Sequence, residues 1–282
     1  GVSVVNVGST AYKRYVSIFK RKDGKSFGMP IAVVSDLDVR ALEYYDDNCN
    51  DRKTPKYWLI ETLRPELEEI SQDVDYDAMP TVFRSKSAFE KEVRLHKTET
   101  FGPIVETINR MKAALTEDNK TVLNEEMLVQ IRKEKTKQLE NDINADRIKI
   151  FLPKAWTLEY EIAGSGLYRL LATAIKAAQK EVTDPEHEMT DEALMGLWSE
   201  VKTDYPDGHV PTKEEVYKIF APLNEGIISK AIAAQYLAGM LAGELPPVSN
   251  GAIDRHEVKR IVETDEKLKY LVDAIKHVTE QF

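Results

Sequence analysis

Residues 30–40 read PIAVVSDLDVR, and this segment decides how the rest of the chain is interpreted. Residues 31–34 are apolar and mostly β-branched, which is typical of a strand buried in a parallel sheet. Asp36 and Asp38 follow directly. Ligands bind at the carboxyl ends of strands in open α/β sheets, and two acids at i and i+2 can reach one cation. The same residues also suit an ordinary aspartate-rich turn, so both interpretations stay open.

Composition restricts the class of protein. The 282 residues are 42% hydrophobic, which is enough for one large or two modest domains with a real core. The apolar runs are too short to span a membrane, and no signal peptide pattern is present. The single cysteine, Cys49, excludes an internal disulfide and a cysteine-based zinc site. We therefore expect a cytoplasmic protein without a membrane segment.

The formal net charge of −9 argues against an extensive lysine-rich coat for nucleic acid, although a local basic stripe could exist. The lysine- and glutamate-rich residues 131–144 are predicted to form a solvated helix face. His187, His209 and His256 lack metal-ligand spacing and are predicted to be surface residues. Neither a Walker A loop nor a GxGxxG motif occurs, so nucleotide binding by those routes is not expected.

The first 40 residues predict a βαβ unit. Residues 2–7 form an apolar run, Tyr12, Val16 and Phe19 recur at helical spacing, and residues 29–34 give the next strand. A strand, a helix and a second strand in this order predict a parallel sheet with a right-handed crossover.

Residues 41–146 contain no convincing strand pattern. Trp58, Leu63 and Leu67 recur at helical spacing, and further apolar positions continue this pattern to the charged helix near residues 124–142. We interpret residues 41–146 as an all-helical insertion subdomain. Residues 1–40 and 147–282 would then form one α/β domain.

The sheet is predicted to resume at residues 147–152, RIKIFL, which alternate as a strand does. Thr157 is a plausible helix N-cap, and Glu159 would lie in the first turn. If this strand is parallel to residues 29–34, Glu159 shares the sheet edge of Asp36 and Asp38. Alternatively, Glu159 only interacts favourably with the helix dipole.

Lys230 is the one cation in the otherwise apolar helix predicted at residues 227–241. Its side chain could extend along the helix to solvent. It could instead be held in a site as a compact positive charge for a phosphate group. Spacing alone favours the first interpretation.

Four segments occur in an order that resembles the Toprim region of the OLD (overcoming lysogenization defect) family of nucleases. They are a strand, glycine turn and aromatic-bearing helix in residues 4–27, the D-x-D pair of Asp36 and Asp38, Thr157-Leu158-Glu159, and Ser229-Lys230-Ala231. The resemblance covers most of the chain. It implies an α/β fold with a Toprim-like parallel sheet flanked by helices and interrupted by a helical insertion.

The resemblance also implies an activity, metal-dependent endonuclease cleavage or nicking of DNA by a two-metal mechanism. Asp36, Asp38 and Glu159 would bind two Mg²⁺ or Mn²⁺ ions. Lys230 would offset charge on the phosphate, and Ser35 would orient a water ligand or contact the phosphate. Glu161 and Glu43 are alternatives to Glu159. The expected partners are DNA, an N-terminal ABC-type ATPase domain that would use ATP, and a second copy in a homodimer.

The chain departs from the family pattern at its start. A Toprim domain normally begins with a strand and an acidic turn whose glutamate is a ligand or general acid/base, and that segment would precede Gly1. The family's ATPase is also outside these residues. We therefore expect this chain to be most of a carboxyl-terminal nuclease region.

Two other functions fit the residues. A haloacid-dehalogenase-like phosphatase also places D-x-D at a strand end and uses the first aspartate as nucleophile. Val39 partly fits its pattern, but no later strand ends in paired acids, and Asp46-Asp47 lies too near. The third interpretation is a non-catalytic scaffold that docks a partner ATPase, with Asp36 and Asp38 as turn residues.

Overall fold

The computed structural model describes residues 3–5, 7, 12–20, 28–45, 52–98, 103–184 and 189–280. Cys49, His187 and Asp46-Asp47 lie outside these ranges. Within them the protein is mixed α/β and mostly helical. None of the helices in these ranges is long and apolar enough to cross a bilayer.

Twelve α-helices and five short strands make up the described part of the chain. The helices are α1 (Tyr12–Phe19), α2 (Ile60–Ile70), α3 (Lys86–Leu95), α4 (Ile104–Ala114), α5 (Glu125–Ile143), α6 (Leu158–Gly164), α7 (Tyr168–Thr183), α8 (Asp191–Asp204), α9 (Lys213–Asn224), α10 (Lys230–Ala242), α11 (Arg255–Thr264) and α12 (Lys269–Thr279). The strands are β1 (Ile31–Val34), β2 (Lys56–Leu59), β3 (Val82–Phe83), β4 (Thr121–Val122) and β5 (Ile148–Phe151). The chain divides into two compact units, residues 1–43 with 136–282, and residues 44–135.

In the first unit, β1 and β5 form a two-stranded parallel sheet in which Ile31 is opposite Ile148 and Val34 is opposite Phe151. The N–H of Ser35 continues the pairing by donating to the carbonyl of Phe151 at 3.3 Å. The predicted parallel relation of these two strands is confirmed. Because parallel strands share one carboxyl edge, the segments that follow β1 and β5 emerge at the same place.

Four helices of the first unit, α6, α8, α9 and α10, pack against α7. Alanines on α7 are buried, including Ala174, Ala177 and Ala178 at 0% exposure, and such small side chains allow close helix packing. Helix α12 covers both β1 and β5. Because α6, which carries Glu159, and α10, which carries Lys230, both pack on α7, this helix fixes the relative positions of the two residues.

The second unit is not all-helical, so that prediction was wrong. β2 pairs antiparallel with β3 and with β4, giving the strand order β3-β2-β4. Trp58, which was assigned to a helix, lies in β2, and α2 begins at Ile60. The strands have only two to four residues each, too few for an alternating pattern to be recognised.

The core of the second unit shows why the helix predicted from the apolar spacing was partly correct. Leu63 and Leu67 of α2 are buried with Phe83, Phe89 and side chains from α3 and α4. The rings of Phe83 and Phe89 meet edge to face at 5.5 Å. Strand and helix therefore share one apolar cluster, and Trp58 joins it from the strand.

The strand predicted at residues 2–7 is not observed in the described part of that segment. Residues 3–5 and 7 have no regular secondary structure, and Val4 and Val5 are 92% and 75% exposed. An apolar run becomes a strand only where a neighbouring strand accepts its hydrogen bonds. Among the described residues, the parallel sheet consists of β1 and β5 alone.

Candidate functional site

The turn after β1 is held by a single carbonyl group. The N–H groups of Leu37 and Asp38 both donate to the carbonyl oxygen of Trp156, at 3.0 and 3.1 Å. Leu37 is buried at 1% exposure and anchors the turn. Asp38 has a φ of +57°, a left-handed conformation that aspartate tolerates better than most residues. Asp36 and Asp38 are thus fixed on either side of a buried leucine.

The start of α6 meets this turn. The Thr157 hydroxyl accepts from the N–H of Tyr160 at 3.3 Å, so the predicted N-cap is confirmed. The N–H of Leu158 donates to Asp36 Oδ1 at 3.0 Å. Asp36 therefore lies at the positive end of α6, and Glu159 follows in its first turn.

The environment of Asp36 disfavours its charged form. Burial raises the pKa of Asp36 above its ordinary value of 3.8, and the charges of Glu159 and Asp38 raise it further. The hydrogen bond from Leu158 and the charge of Lys230 act in the opposite direction. Three other predicted site residues are therefore close enough for their charges to act on Asp36.

Lys230 begins α10 and contacts Glu159, with 3.4 Å between Nζ and Oε1. Its side chain is 50% exposed and that of Glu159 is 28% exposed, so this ion pair contributes little to stability. The Ser229 hydroxyl accepts from the N–H of Ile232 and caps the helix. The start of α10, with its lysine, thus lies beside the start of α6.

Ser35 and Glu43 are less closely tied to this cluster. Ser35 directly precedes Asp36, is half-buried and gives its N–H to the sheet. Glu43 lies in the short 3-10 helix Leu42–Tyr45. Of the described residues, Glu43 is not among those whose charges shift the pKa of Asp36.

The carboxylates do not form a ready-made metal cage. Among the residues that the structure describes, no group of three or more histidine, cysteine, aspartate or glutamate side chains is placed to hold a metal ion. Glu159 is engaged by Lys230, and one oxygen of Asp36 by Leu158. The oxygen donors still suit Mg²⁺, which is commonly bound by one or two carboxylates together with waters and substrate phosphates.

Comparison with known proteins adds nothing to this geometry. No protein-family model, curated protein or solved structure matches the chain. The function is therefore inferred from the cluster of Asp36, Asp38, Glu159 and Lys230 and from the resemblance described above.

Glu161 has a role that the sequence did not indicate. It is buried at 1% exposure, and its Oε1 accepts from the N–H of Ala155 at 2.6 Å. The next residue, Trp156, supplies the carbonyl that holds Leu37 and Asp38. Glu161 therefore supports the segment that fixes the aspartate turn.

Tyr270 is a second residue that sequence reasoning missed. It is the second residue of α12, which packs on both strands of the sheet. Burial raises its pKa, and so do the charges of Glu161, Asp36 and Glu159. Only the amphipathic pattern of α12 was visible in the sequence, and that pattern does not reveal what a tyrosine hydroxyl faces.

Glu161→Ala is expected to destabilise the protein by about 2 kcal/mol, because the partly buried N–H of Ala155 loses a charged acceptor. Glu159→Ala, two residues away on α6, is the matched control and should stay within about 0.5 kcal/mol of wild type, since it loses only a half-exposed ion pair. Urea denaturation measures both free energies of unfolding. Equal destabilisation by the two variants would show that Glu161 does not have this supporting role.

Proposed function

We propose that this chain is a nuclease region that hydrolyses DNA phosphodiester bonds with Mg²⁺ or Mn²⁺ held at Asp36 and Asp38. One observation carries the proposal. The parallel pairing of β1 and β5 brings the aspartate turn to the start of α6, where Glu159 contacts Lys230. Carboxylates that could bind a cation and a lysine that could bind a phosphate therefore lie near the carboxyl edge of the sheet. This is the edge at which α/β sheets bind ligands.

The acidic residues have separate tasks in this proposal. Asp36 and Asp38 hold the first cation, and Glu159 holds or orients a second. A bound divalent ion would supply Lewis-acid stabilisation and a water of lowered pKa. Ser35, next to Asp36, orients a water or contacts the phosphate. The rigid turn made by Leu37 and Trp156 keeps the two aspartates in place.

Lys230 meets the phosphate. Lys230 is the first residue of α10, and backbone N–H groups at helix N-termini favour phosphate oxygens. The ion pair with Glu159 keeps this charge at the sheet edge until a phosphate arrives. Lys230 then stabilises the negative charge on the phosphate oxygens in the transition state.

The net charge of −9 is compatible with DNA as substrate if divalent cations offset the acidic site. We expect low sequence specificity, because the residues that carry the proposal address the phosphate rather than the bases. From the OLD-family resemblance we further infer a Toprim-like fold and an ABC-type ATPase domain in the same protein. The single cysteine suits a cytoplasmic location, and we also expect a homodimer.

One observation favours a second candidate. The described residues contain no three-ligand group for a metal, which suits a non-catalytic scaffold that docks a partner ATPase. In that case Asp38 would be present because aspartate tolerates the left-handed turn conformation.

Titration with Mn²⁺ separates these functions. Wild type should bind Mn²⁺ saturably, Asp38→Ala should lose binding, and Asp118→Ala, at an exposed position of the second unit, should retain it. A folded wild-type protein without saturable Mn²⁺ binding would favour the scaffold. Hydrolysis of p-nitrophenyl phosphate without cleavage of plasmid DNA would instead indicate the phosphatase.

A further inference from the structure

A cleft of about 650 Å³ lies in the first unit, between the start of α7, the second half of α8 and α11. Small-molecule sites in proteins typically have volumes of about 300–1,000 Å³ and mostly apolar walls. The apolar side chains that line this cleft include Leu167, Leu170, Trp198, Ile253, Val258 and Ile261. The cleft is therefore large enough and apolar enough to hold the body of a small organic molecule.

Contacts inside the unit fix the walls of this cleft. The N–H of Gly166, two residues before α7, donates to Asp265 Oδ2 at 2.9 Å, at the end of α11. A β-carbon at position 166 would lie 2.9 Å from the side chain of Ile261, so glycine permits this close approach. The segment before α7 is therefore joined to the end of α11, and the cleft is preformed.

Two cations share one carboxylate at the cleft. Arg169 Nη1 donates to Asp207 Oδ1 at 2.8 Å, and Lys202 Nζ donates to Asp207 Oδ2 at 3.2 Å. Arg169 also donates to the hydroxyl of Tyr168 and to the carbonyl of Pro206, and its side chain is only 17% exposed. Asp207 is 74% exposed. The arginine is therefore held in place, and the carboxylate is the accessible member of the cluster.

The remaining acidic side chains that line the cleft already have partners. Arg260 donates to both carboxylate oxygens of Glu257. Asp254 caps α11 by accepting from a backbone N–H, and Asp265 accepts from two backbone N–H groups. The two cations beside Asp207 face a single negative charge, so this part of the cleft carries the excess positive charge.

We propose that this cleft binds a small organic anion with an aromatic or aliphatic body, whose carboxylate or phosphate group takes the place of the Asp207 carboxylate between Arg169 and Lys202. Exposed ion pairs contribute little to stability, so the exchange of Asp207 for a ligand anion costs little. The forked donors of arginine suit carboxylate and phosphate alike. This site is independent of the proposed nuclease function, because the candidate nuclease site is built from the turn after β1, α6 and α10.

Fluorescence titration with 8-anilino-1-naphthalenesulfonate, an aromatic anion, tests this binding. We expect saturable binding by wild type, a Kd about fivefold higher for Lys202→Ala and a Kd about fivefold lower for Asp207→Asn. The shifts are opposite because Lys202 attracts the sulfonate, whereas Asp207 competes with it. The uncharged analogue N-phenyl-1-naphthylamine lacks the sulfonate, so neither substitution should change its Kd.

Lys176→Ala and Asp204→Asn are the matched controls. Lys176 on α7 and Asp204 on α8 pair with each other outside the cleft lining, with 3.7 Å between Nζ and Oδ2. They repeat the two charge changes on the same pair of helices, so the Kd should stay at the wild-type value. All four variants should keep the wild-type melting temperature, because the altered side chains are at least 36% exposed. Absence of saturable binding, or equal shifts in the control variants, would overturn this site.

Discussion

Asp36→Asn is expected to abolish metal-dependent DNA cleavage and at the same time to stabilise the folded protein at neutral pH. The loss of cleavage follows because asparagine removes the negative charge that would bind the cation. The expected decrease in rate is on the order of 10³-fold. The asparagine side-chain oxygen can still accept from the N–H of Leu158, so the turn should keep its geometry.

The gain in stability follows from the sign of the pKa shift. The pKa of Asp36 is raised in the folded state, mainly by burial. Wild-type stability from this group is therefore fully present below its ordinary pKa of 3.8 and is lost as the pH rises through the folded-state value. The neutral asparagine avoids this loss. Because Asp36 is only half-buried, we expect a gain of about 1 kcal/mol at pH 7.

Thermal unfolding at pH 3 and pH 7, without divalent cations, measures this difference. A gain of about 1 kcal/mol corresponds to a rise of roughly 2–4 °C in Tm for a protein of this size class. The gain should be present at pH 7 and absent at pH 3. Asp118→Asn, at an exposed site, should change neither stability nor cleavage. An Asp36→Asn variant that cleaves DNA at the wild-type rate would contradict the role of Asp36.

Lys230→Ala is expected to lower the rate of cleavage by a factor on the order of 10²–10³, because a preorganised charge at the transition state is removed. Mn²⁺ binding should persist, since Lys230 is not a ligand and its removal frees Glu159. The folded state should be little affected, because the side chain is 50% exposed. Lys230→Arg should retain part of the rate, since it keeps the charge but not the compact ammonium.

Single-turnover cleavage at saturating Mn²⁺ measures the effect of Lys230→Ala. Lys218→Ala is the control, because Lys218 is 58% exposed and pairs with Glu214 on α9 of the same unit. Wild-type cleavage by Lys230→Ala would favour the alternative in which this lysine only extends to solvent.

The parts of the fold that the sequence predicted depend on local chemistry. The apolar runs of β1 and β5 end abruptly at polar residues, and Thr157 is a good N-cap, so strand ends and the start of α6 could be located. Parallel pairing then places Asp36 and Glu159 at one edge. Placing Asp36 and Glu159 at one edge requires only the position where each strand ends and the parallel direction of the two strands.

The remaining features depend on tertiary contacts. The contact between Lys230 and Glu159 arises because α6 and α10 both pack on α7, which no spacing in either segment encodes. The strands β3 and β4 have two residues each, which is too short to show the alternation of apolar and polar residues typical of a strand. The apolar residues 2–7 predicted a strand, although Val4 and Val5 are largely exposed. Strand formation requires a partner edge, and hydrophobicity alone does not supply one.

The most direct test of the central claim is nicking of supercoiled plasmid DNA by wild type, Asp38→Ala and Lys230→Ala, with Mg²⁺, Mn²⁺ or EDTA. We predict nicking that requires the cation and is lost in both variants. Absence of nicking by the folded, Mn²⁺-bound protein would contradict the nuclease assignment.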